Sequence, residues 1–386
     1  MITNFYSLAG YGEMIADRVR VEAYSRALRA AVRPGSVVLD IGTGPGILAV
    51  LACQLGAGRV FAIEANPVIQ LAREIAAANH CADKIEFIED LSTSVNLPVP
   101  VDVIVSDLHG VLPLFEHLVP TIADARRRFL APGGTLIPRS ERIWAAVVEA
   151  PERYAKIVDP WERNGLGQNL GPARRIVVND LQKARFTPEQ LLTKPQPWAT
   201  LDYLSVENPD VQHELHWTVE REGTGHGIAV WFETELADGV GFSNAPGEPE
   251  AIYGSMFFPW LNPAPLAMGQ TVRVDLQAKL LEGDYFWRWI TRIELVGRPG
   301  EIATRFDQSQ LKGAVLSPEN LRRRASTHVP QLSKAGLLRR RTLDLMDGTA
   351  SLEEISRRLT AEFPDRFARW QQALSFAGEV SKENSS

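Results

Sequence analysis

Three glycines that alternate with other residues follow an apolar stretch near the start of the chain. Val37–Ile41 is rich in β-branched residues, Gly42, Gly44 and Gly46 come next, and a helical pattern begins at Ile47. This order predicts a buried parallel strand, a tight turn and the start of a helix. Glycine reaches positive φ without a Cβ penalty and lets a ligand approach the backbone closely. The turn alone is also compatible with plain strand-to-helix packing.

A carboxylate at the end of the next apolar stretch makes the turn more specific. Val60–Ile63 has the pattern of a second buried strand, and Glu64 follows it, roughly 20 residues after the glycine turn. This is the spacing at which an acidic side chain binds ribose hydroxyls. The two features together predict a site for a nucleotide-like cofactor.

Acidic and imidazole side chains follow a further predicted strand. Val101–Ser106 leads directly into Asp107, and His109, Glu116 and His117 come shortly after it. Ligands of doubly wound sheets bind beyond the carboxyl ends of the strands, so an acid at this position is expected to be functional. The alternatives are a strand-end role for Asp107 and exposure or ordinary packing for the two histidines.

The elements that must position these residues alternate regularly. Between Val37 and Pro138 strand and helix patterns alternate, which predicts a doubly wound parallel sheet of the α/β class. One helix is predicted before it, from Gly12 to Val32. After Ile143 the pattern changes to alternating, aromatic strands separated by turns, which predicts an antiparallel domain. Its clearest predicted strands are Arg142–Val148, Leu201–Val206, Glu214–Glu220, Gly227–Thr234 and Val272–Lys279.

Length and composition limit the class of protein. A chain of 386 residues is expected to form two or three domains, and its 45% apolar and 23% charged content is typical of a folded soluble protein. It contains no apolar run of membrane-spanning length and no signal-peptide pattern. Cys53 and Cys81 suit a reducing compartment rather than a disulfide framework or a metal site, and the net charge of −6 does not favour nucleic-acid binding. We therefore expect a cytoplasmic protein without a metal, membrane or nucleic-acid partner.

These motifs resemble a known family. Asp40–Gly46, Glu64 and Leu130–Gly134 are similar to class I S-adenosylmethionine-dependent methyltransferases, and more closely to protein arginine methyltransferases. Gly12–Arg20 resembles the helix with which that family covers its cofactor. The resemblance implies a Rossmann-like fold for the first part of the chain and S-adenosylmethionine as the cofactor, with S-adenosylhomocysteine as its product.

The same resemblance assigns individual cofactor contacts. Met14 is expected near the methyl-bearing sulfonium, and Arg20 is expected to pair with the cofactor carboxylate, because a guanidinium fork suits two oxygens. A solvated helix charge is the alternative for Arg20. The other expected contacts are Asp40, Gly42, Gly44, Gly46, Ile47, Glu64, Ala65, Asp90, Leu91 and Asp107. Thr93 and Ser94 are alternative positions for contacts with adenine.

The family binds its substrate guanidinium with two carboxylates on the loop after the fourth strand. Asp107 and Glu116 have that spacing, although Asp107 is one methylene shorter than the family's glutamate. A supporting Thr-His-Trp loop of the family falls around Ile252, whose side chain cannot form a hydrogen bond. His109 or His117 could supply a polar group from the acidic loop itself. We therefore predict Glu116, Asp107 and His109 as the catalytic residues.

The resemblance also implies a division of the chain. It places the Rossmann-like methyltransferase domain at residues 1–140 and an antiparallel β-barrel or sandwich domain for substrate at residues 141–300. Within the latter, residues 158–186 stand where the family has its dimerisation arm, which predicts a homodimer, with an ordinary surface loop as the alternative. Residues 301–330 are arginine-rich and poorly periodic, and we predict that they form a linker.

A second resemblance covers residues 331–386. Leu337–Ile355 is similar to small α+β winged-helix domains of the PqqD-like kind, several of which recognise the leader of a ribosomally made peptide. Ser351 is predicted to cap a helix that begins at Leu352. The alternatives for this domain are a dimer support or a nucleic-acid reader, and the acidic balance of the chain disfavours the last.

Together these observations predict an S-adenosylmethionine-dependent N-methyltransferase. Its acceptor is expected to be a peptide or protein side chain, in the first place the guanidinium of arginine, with the peptide recruited by residues 331–386. One alternative is a cofactor-binding peptide scaffold that no longer catalyses. The other is a methyltransferase that acts on a different side chain or on a small molecule.

Overall fold

Parallel strands form the sheet that carries the glycine turn. The protein is represented by a computed structural model that describes residues 7–163, 165 and 167–385. The strands are β1 Val37–Ile41, β2 Arg59–Ile63, β3 Ile85–Ile88, β4 Val101–Ser106 and β5 Leu130–Ile137. Their order is β3-β2-β1-β4-β5, so the chain changes direction across the sheet between β1 and β4. This confirms the predicted doubly wound sheet and places the glycine turn at its switch point.

Helices precede and flank this sheet. They are α1 Leu8–Ala16, α2 Arg18–Ala31, α3 Ile47–Gln54, α4 Ile69–Ala78 and α5 Leu118–Arg128. The prediction of one continuous helix from Gly12 to Val32 is wrong, because the backbone of Asp17 is extended and separates α1 from α2. The Asp17 carboxylate caps α2 by accepting a hydrogen bond from the Arg20 N–H at 3.1 Å.

Antiparallel strands make up the next part of the chain. In chain order they are β6 Ser140–Val148, β7 Gln182–Ala184, β8 Gln196–Asp202, β9 Val211–Thr218, β10 Gly223–Ala237, β11 Val240–Ser243, β12 Ser255–Leu266, β13 Thr271–Leu281, β14 Asp284–Leu295 and β15 Arg298–Ser309. One sheet has the order β7-β12-β10-β6-β8, with β11 paired to β10, and another has the order β15-β14-β13-β9. The predicted antiparallel domain is confirmed. The strand predicted at Leu201–Val206 is displaced, because β8 ends at Asp202 and the residues after it form a turn.

Large aromatic side chains fill the interior of the antiparallel part. Trp217 of β9, Trp260 of β12 and Trp289 of β14 are fully buried. One apolar core runs from the parallel sheet into these strands. The parallel and antiparallel parts therefore belong to one compact unit, which ends at Ala314.

Residues 158–186, the predicted dimerisation arm, contain helical stretches and one short strand. They include the end of α6 Pro151–Glu162, then α7 Gly171–Val177 and β7, and residues 164 and 166 lie outside the described part of the chain. Val158 and Val178 are buried in one apolar cluster with Trp231 of β10 and Phe257 of β12. The segment is therefore anchored to the first antiparallel sheet of its own chain.

The predicted linker at residues 301–330 is wrong in its first part. β15 pairs with β14 as far as Ser309, and the short α8 Gln310–Gly313 follows it. The boundary between compact units lies between Ala314 and Val315. The stretch has a linker-like composition because β15 is exposed as far as residue 303 and carries the charged side chains of Glu301 and Arg305 on its solvent side.

The unit that begins at Val315 is helical. Its helices are α9 Pro318–Arg324, α10 Lys334–Asp344, α11 Leu352–Glu362 and α12 Trp370–Asn384. Ser351 caps α11 as predicted, in a capping box with Glu354. The buried core of the unit consists of Leu338, Leu345, Ile355, Leu359, Phe367, Ala373 and Ala377. The predicted α+β character is wrong for residues 315–385, which contain no strand. Within the described residues, no helix has the length and apolar character needed to cross a bilayer.

Candidate active site

The glycine turn passes close to two neighbouring elements. Gly42, Gly44 and Gly46 have φ values of +71°, +52° and +84°. A Cβ on Gly42 would overlap Cδ2 of Leu108, and a Cβ on Gly46 would lie 2.9 Å from Cβ of Ala72 on α4. The turn is therefore in contact with the loop after β4 and with α4. Glycine is needed at position 42 for the first contact and at position 46 for the second.

Two carboxylates hold the turn in shape. Asp40 lies near the end of β1, is buried and accepts a hydrogen bond from the Thr43 hydroxyl at 2.6 Å. Glu64 follows β2 and accepts from the Gly44 N–H at 3.0 Å through Oε2 and from the Asn66 N–H at 2.9 Å through Oε1. Burial raises the pKa of the Asp40 carboxyl to about 7, against the opposing effect of the Thr43 hydroxyl.

Helix α1 covers the turn. A Cβ on Gly44 would lie 3.0 Å from Cε1 of Tyr11, which sequence reasoning did not assign. Met14 is half-buried, and its carbonyl accepts a hydrogen bond from Nη1 of Arg20 at 2.9 Å. The structure therefore brings the predicted Met14 and Arg20 together beside the turn.

The remaining predicted cofactor contacts stand beyond the same ends of the parallel strands. Ile47 is half-buried at the start of α3, and Ala65 is exposed after β2. Asp90 and Leu91 are exposed after β3, where the Asp90 carboxylate accepts from the Leu91 N–H at 2.7 Å. In the part of the chain that the structure describes, no group of His, Cys, Asp and Glu side chains could hold a metal ion.

Asp107 is the centre of a buried polar cluster. Its Oδ2 forms an ion pair with the Arg20 guanidinium, through both Nε and Nη2. Its Oδ1 faces Nδ1 of His109 at 2.9 Å and accepts from the Tyr253 hydroxyl at 2.8 Å. Burial works to raise the pKa of Asp107, but Arg20 and His109 outweigh it and hold the pKa far below its usual range.

His109 connects this cluster to the antiparallel domain. Its Nε2 forms an ion pair with Glu141 of β6, and the other Glu141 oxygen accepts from the Tyr203 hydroxyl. Its ring stacks on Phe232 of β10 with centroids 5.4 Å apart. Burial alone would lower the pKa of His109, but Glu141 and Asp107 outweigh it and raise the pKa to about 10.

The loop around Ile252 contributes polar contacts despite its apolar side chain. The Ile252 N–H donates to Oδ2 of Asp17 at 2.7 Å, while the neighbouring Tyr253 reaches Asp107. The loop therefore still joins the N-terminal helices and the acidic cluster, through a backbone group and a phenol.

Glu116 stands apart from the other predicted catalytic residues. It is exposed, has a φ of +40°, and has His117 and Asp284 as its titratable neighbours. Burial and the nearby Asp284 raise the pKa of its carboxyl. The structure thus joins Asp107 and His109 in one network, and it places Glu116 on the surface of the same loop.

Sequence reasoning missed Glu141, Tyr203 and Tyr253. Glu141 carried a usable signal, because it shares the inward face of β6 with Ile143 and Ala145. A charged residue at an inward strand position indicates a buried partner of opposite charge. Nothing in the sequence pattern identified that partner as His109.

We expect Asp40→Asn to change stability in a pH-dependent way. The carboxyl titrates near 7 in the folded protein and near 3.8 ordinarily, so its deprotonation destabilises the fold as the pH rises through this range. The free energy of unfolding of the variant should therefore rise relative to that of the wild type as the pH increases. The difference should grow by up to about 1.4 kcal/mol per pH unit and level off once the carboxyl is ionised in both states. Chemical denaturation between pH 4 and pH 8 measures it. The exposed carboxylate of Asp102 on β4 provides the control, and an Asp102→Asn variant with the same trend would contradict the explanation.

Comparisons with known proteins match this arrangement. The family described as "Ribosomal protein L11 methyltransferase (PrmA)" matches residues 23–140. The "Arginine N(omega)-methyltransferase" of Streptomyces achromogenes subsp. streptozoticus is 30% identical over 68% of this chain and 74% of its own length. The "Protein arginine N-methyltransferase 6" of Xenopus laevis is 33% identical over 57% of this chain and 68% of its own. The "Probable protein arginine N-methyltransferase 6" of Arabidopsis thaliana is 30% identical, and the match spans 57% of that relative's length.

Solved structures share the fold. Arabidopsis thaliana protein arginine methyltransferase 10 superposes with a TM-score of 0.68 at 23% identity, over 79% of this chain and 98% of its own. The Trypanosoma brucei PRMT1 enzyme-prozyme complex superposes with a TM-score of 0.70 at 21% identity, over 78% of this chain and 96% of its own. The sequence relatives, together with a parallel sheet joined to antiparallel sheets, show that this chain belongs to the arginine methyltransferase family.

Proposed function

We propose that this protein transfers methyl groups from S-adenosylmethionine to a guanidinium nitrogen of arginine in a peptide or protein. The observation that carries the proposal is the buried carboxylate of Asp107, which forms ion pairs with Arg20 and His109. The next residue, Leu108, packs against Gly42 of the glycine turn. Carboxylates bind guanidinium groups through paired, charge-assisted hydrogen bonds. Membership of the arginine methyltransferase family supports the same acceptor.

The residues around the turn fit S-adenosylmethionine as the cofactor. Gly44 lacks the Cβ that would meet α1, the carboxylate of Glu64 faces the turn, and Arg20 provides a guanidinium for a cofactor carboxylate. Bound there, the cofactor supplies an electrophilic methyl group on its sulfonium and leaves as S-adenosylhomocysteine. We assign Glu64 to the ribose hydroxyls, Arg20 to the cofactor carboxylate and Met14 to the neighbourhood of the sulfonium.

The side chains of this site act by placing the acceptor nitrogen rather than by strong base chemistry. A carboxylate offers about four lone-pair sites. Those of Asp107 are taken by two guanidinium nitrogens of Arg20, by His109 and by Tyr253. A substrate guanidinium must therefore replace one of these donors at Asp107. The exposed carboxylate of Glu116 is proposed as the second arm of the clamp.

We expect the full-length protein with S-adenosylmethionine to add methyl groups to arginine-containing peptides. Tandem mass spectrometry of a peptide library should locate a mass increase of one or two methyl groups on arginine. Matched peptides with lysine in place of arginine should stay unmodified, because the planar guanidinium and the compact ammonium present different donor geometries. Tight binding of S-adenosylhomocysteine without any methylated peptide would refute the proposed activity.

Glu116→Gln gives this assay an internal control. Removing its charge should abolish most turnover and leave the calorimetric affinity for S-adenosylhomocysteine unchanged. Asp284→Asn removes a neighbouring negative charge from the same surface and should have a much smaller effect. If both substitutions reduced turnover equally, the negative charge of this surface as a whole, rather than a specific contact of Glu116 with the substrate, would be responsible.

Residues 331–386 are proposed to recruit the substrate peptide. The support is the sequence resemblance of Leu337–Ile355 to peptide-recognition domains, although the fold of residues 315–385 is helical rather than α+β, and the position of residues 331–386 in a unit with its own core. A separate binding module raises the effective concentration of the acceptor at the site, which offsets a weak affinity of the site itself.

Shortening the chain to residue 330 tests this recruitment. We expect KM to rise strongly for a full-length substrate peptide and to change little for its isolated acceptor segment, because only the former engages the module. Thermal unfolding of the shortened chain controls for loss of structure. A parallel change in both KM values would contradict the role.

We propose that the protein is a homodimer and is located in the cytoplasm. Residues 158–186 stand where the family has its arm, and the buried free thiols of Cys53 and Cys81 suit a reducing compartment. Sedimentation equilibrium of the purified protein should give the mass of two chains. A monomer at concentrations well above those of the assay would exclude the dimer.

A further inference from the structure

Four buried or partly buried charges of alternating sign run from α2 into the antiparallel domain. They belong to Arg20, Asp107, His109 and Glu141, and each is in contact with the next. We propose that His109 and Glu141 are positioning residues that fix the Asp107 carboxylate for methyl transfer. The inference rests on the proposed function and adds a residue of the antiparallel domain to the working parts of the site.

The protonation state of His109 follows from geometry. Nδ1 lies 2.9 Å from a carboxylate oxygen of Asp107, and Nε2 is in contact with a carboxylate oxygen of Glu141. A neutral imidazole has one N–H donor and one acceptor nitrogen, so it would turn a lone pair towards one of these anions. Only the imidazolium carries a proton on both nitrogens, towards Asp107 on one side and towards the ion-pair contact with Glu141 on the other. His109 therefore works as a cation between two carboxylates.

Burial makes this cation necessary. The side chains of His109 and Glu141 are 1% and 0% exposed, so water cannot compensate the charge of either. An isolated charge in such a place is strongly unfavourable. In an alternating set of two cations and two anions, each charge is compensated by a neighbour of opposite sign. The second oxygen of Glu141 is occupied by the Tyr203 hydroxyl. Removing the Glu141 charge would thus leave His109 with Asp107 as its remaining carboxylate contact.

The far end of the chain of charges is rigid. Glu141 lies on β6, in register with Thr234 of β10 on one side and with Leu201 of β8 on the other. The imidazole it holds is stacked on Phe232 and meets the edge of Tyr253 at 5.6 Å between centroids. Glu141, on a strand, thereby sets the orientation of the Asp107 carboxylate on the loop through His109. Functional groups are held most precisely when they are supported from helices or strands.

Titration of His109 gives a readout that does not need turnover. Asp107 on its own loop, Glu141 on β6 and Tyr253 before β12 face His109 directly. Arg20 on α2 and Tyr203 after β8 contact those two carboxylates from behind. Burial lowers the pKa of His109, and the two carboxylates raise it to about 10. The stability from this proton is complete below the ordinary histidine pKa and is lost as the pH rises towards 10.

Glu141→Gln is the first test, in the full-length protein. We expect kcat to fall roughly tenfold to a hundredfold through misplacement of Asp107, with the affinity for S-adenosylhomocysteine unchanged. The alkaline limb of the pH–rate profile and the NMR titration of the His109 ring should both move to lower pH. Glu149→Gln is the matched control, because Glu149 follows β6 and binds Arg221 and the Thr224 N–H instead. It should leave the profile unchanged.

A second variant separates positioning from mere stability. The triple substitution His109→Met, Glu141→Met and Tyr203→Phe removes the buried charges and their hydroxyl partner together, which buried ion pairs often tolerate. We expect thermal stability near that of the wild type and a kcat that stays low. Wild-type kcat in this variant, or in Glu141→Gln, would overturn the inference.

The two proposals fail in different ways. A wild-type protein that methylates no arginine refutes the proposed function, whatever the state of His109. A His109 ring that titrates near its ordinary pKa in the wild type, with activity present, overturns the inference alone.

Discussion

A charge cannot stay buried by itself, and this constraint shapes the centre of the molecule. Arg20 comes from α2, Asp107 and His109 from the loop after β4, and Glu141 from β6, so three parts of the chain must meet for any of these groups to be compensated. The apolar core that joins the parallel and antiparallel sheets holds these three parts of the chain together. Ionic pairing of this kind contributes little net stability, but it fixes one arrangement, since every displaced group would leave a partner uncompensated.

The sequence indicates the parallel half of the candidate site because its signals are local. A buried strand, a glycine turn and an acid at the next strand end lie within about 30 residues of one another, and their geometry follows from strand and helix patterns alone. Asp107 was predictable for the same reason. His109 was predicted as a catalytic residue that supplies a polar group, but its contact with Glu141 was not, because Glu141 comes from another sheet and the contact depends on how that sheet packs.

Other errors of sequence reasoning have physical causes of the same kind. The break at Asp17 is invisible to hydrophobic periodicity, since the apolar positions of α1 and α2 continue across it, and only a capping carboxylate marks it. The exposed, charged face of β15 has the composition of a linker, although its backbone is paired with β14. At Asp17 a side-chain carboxylate binds the Arg20 N–H, and in β15 the backbone pairs with β14. Hydrophobic periodicity records neither interaction.

Helix α1 has a consequence for the kinetics of ligand exchange. It has no buried residue, yet its Tyr11 lies over Gly44 of the glycine turn. Detaching it exposes little apolar surface, so local opening there costs far less than global unfolding. The Asp17 carboxylate, which caps α2 and holds the Ile252 N–H, keeps α2 in place when α1 departs. A bound ligand can therefore enter and leave through fluctuations of one helix, while the charge network and the three sheets remain folded.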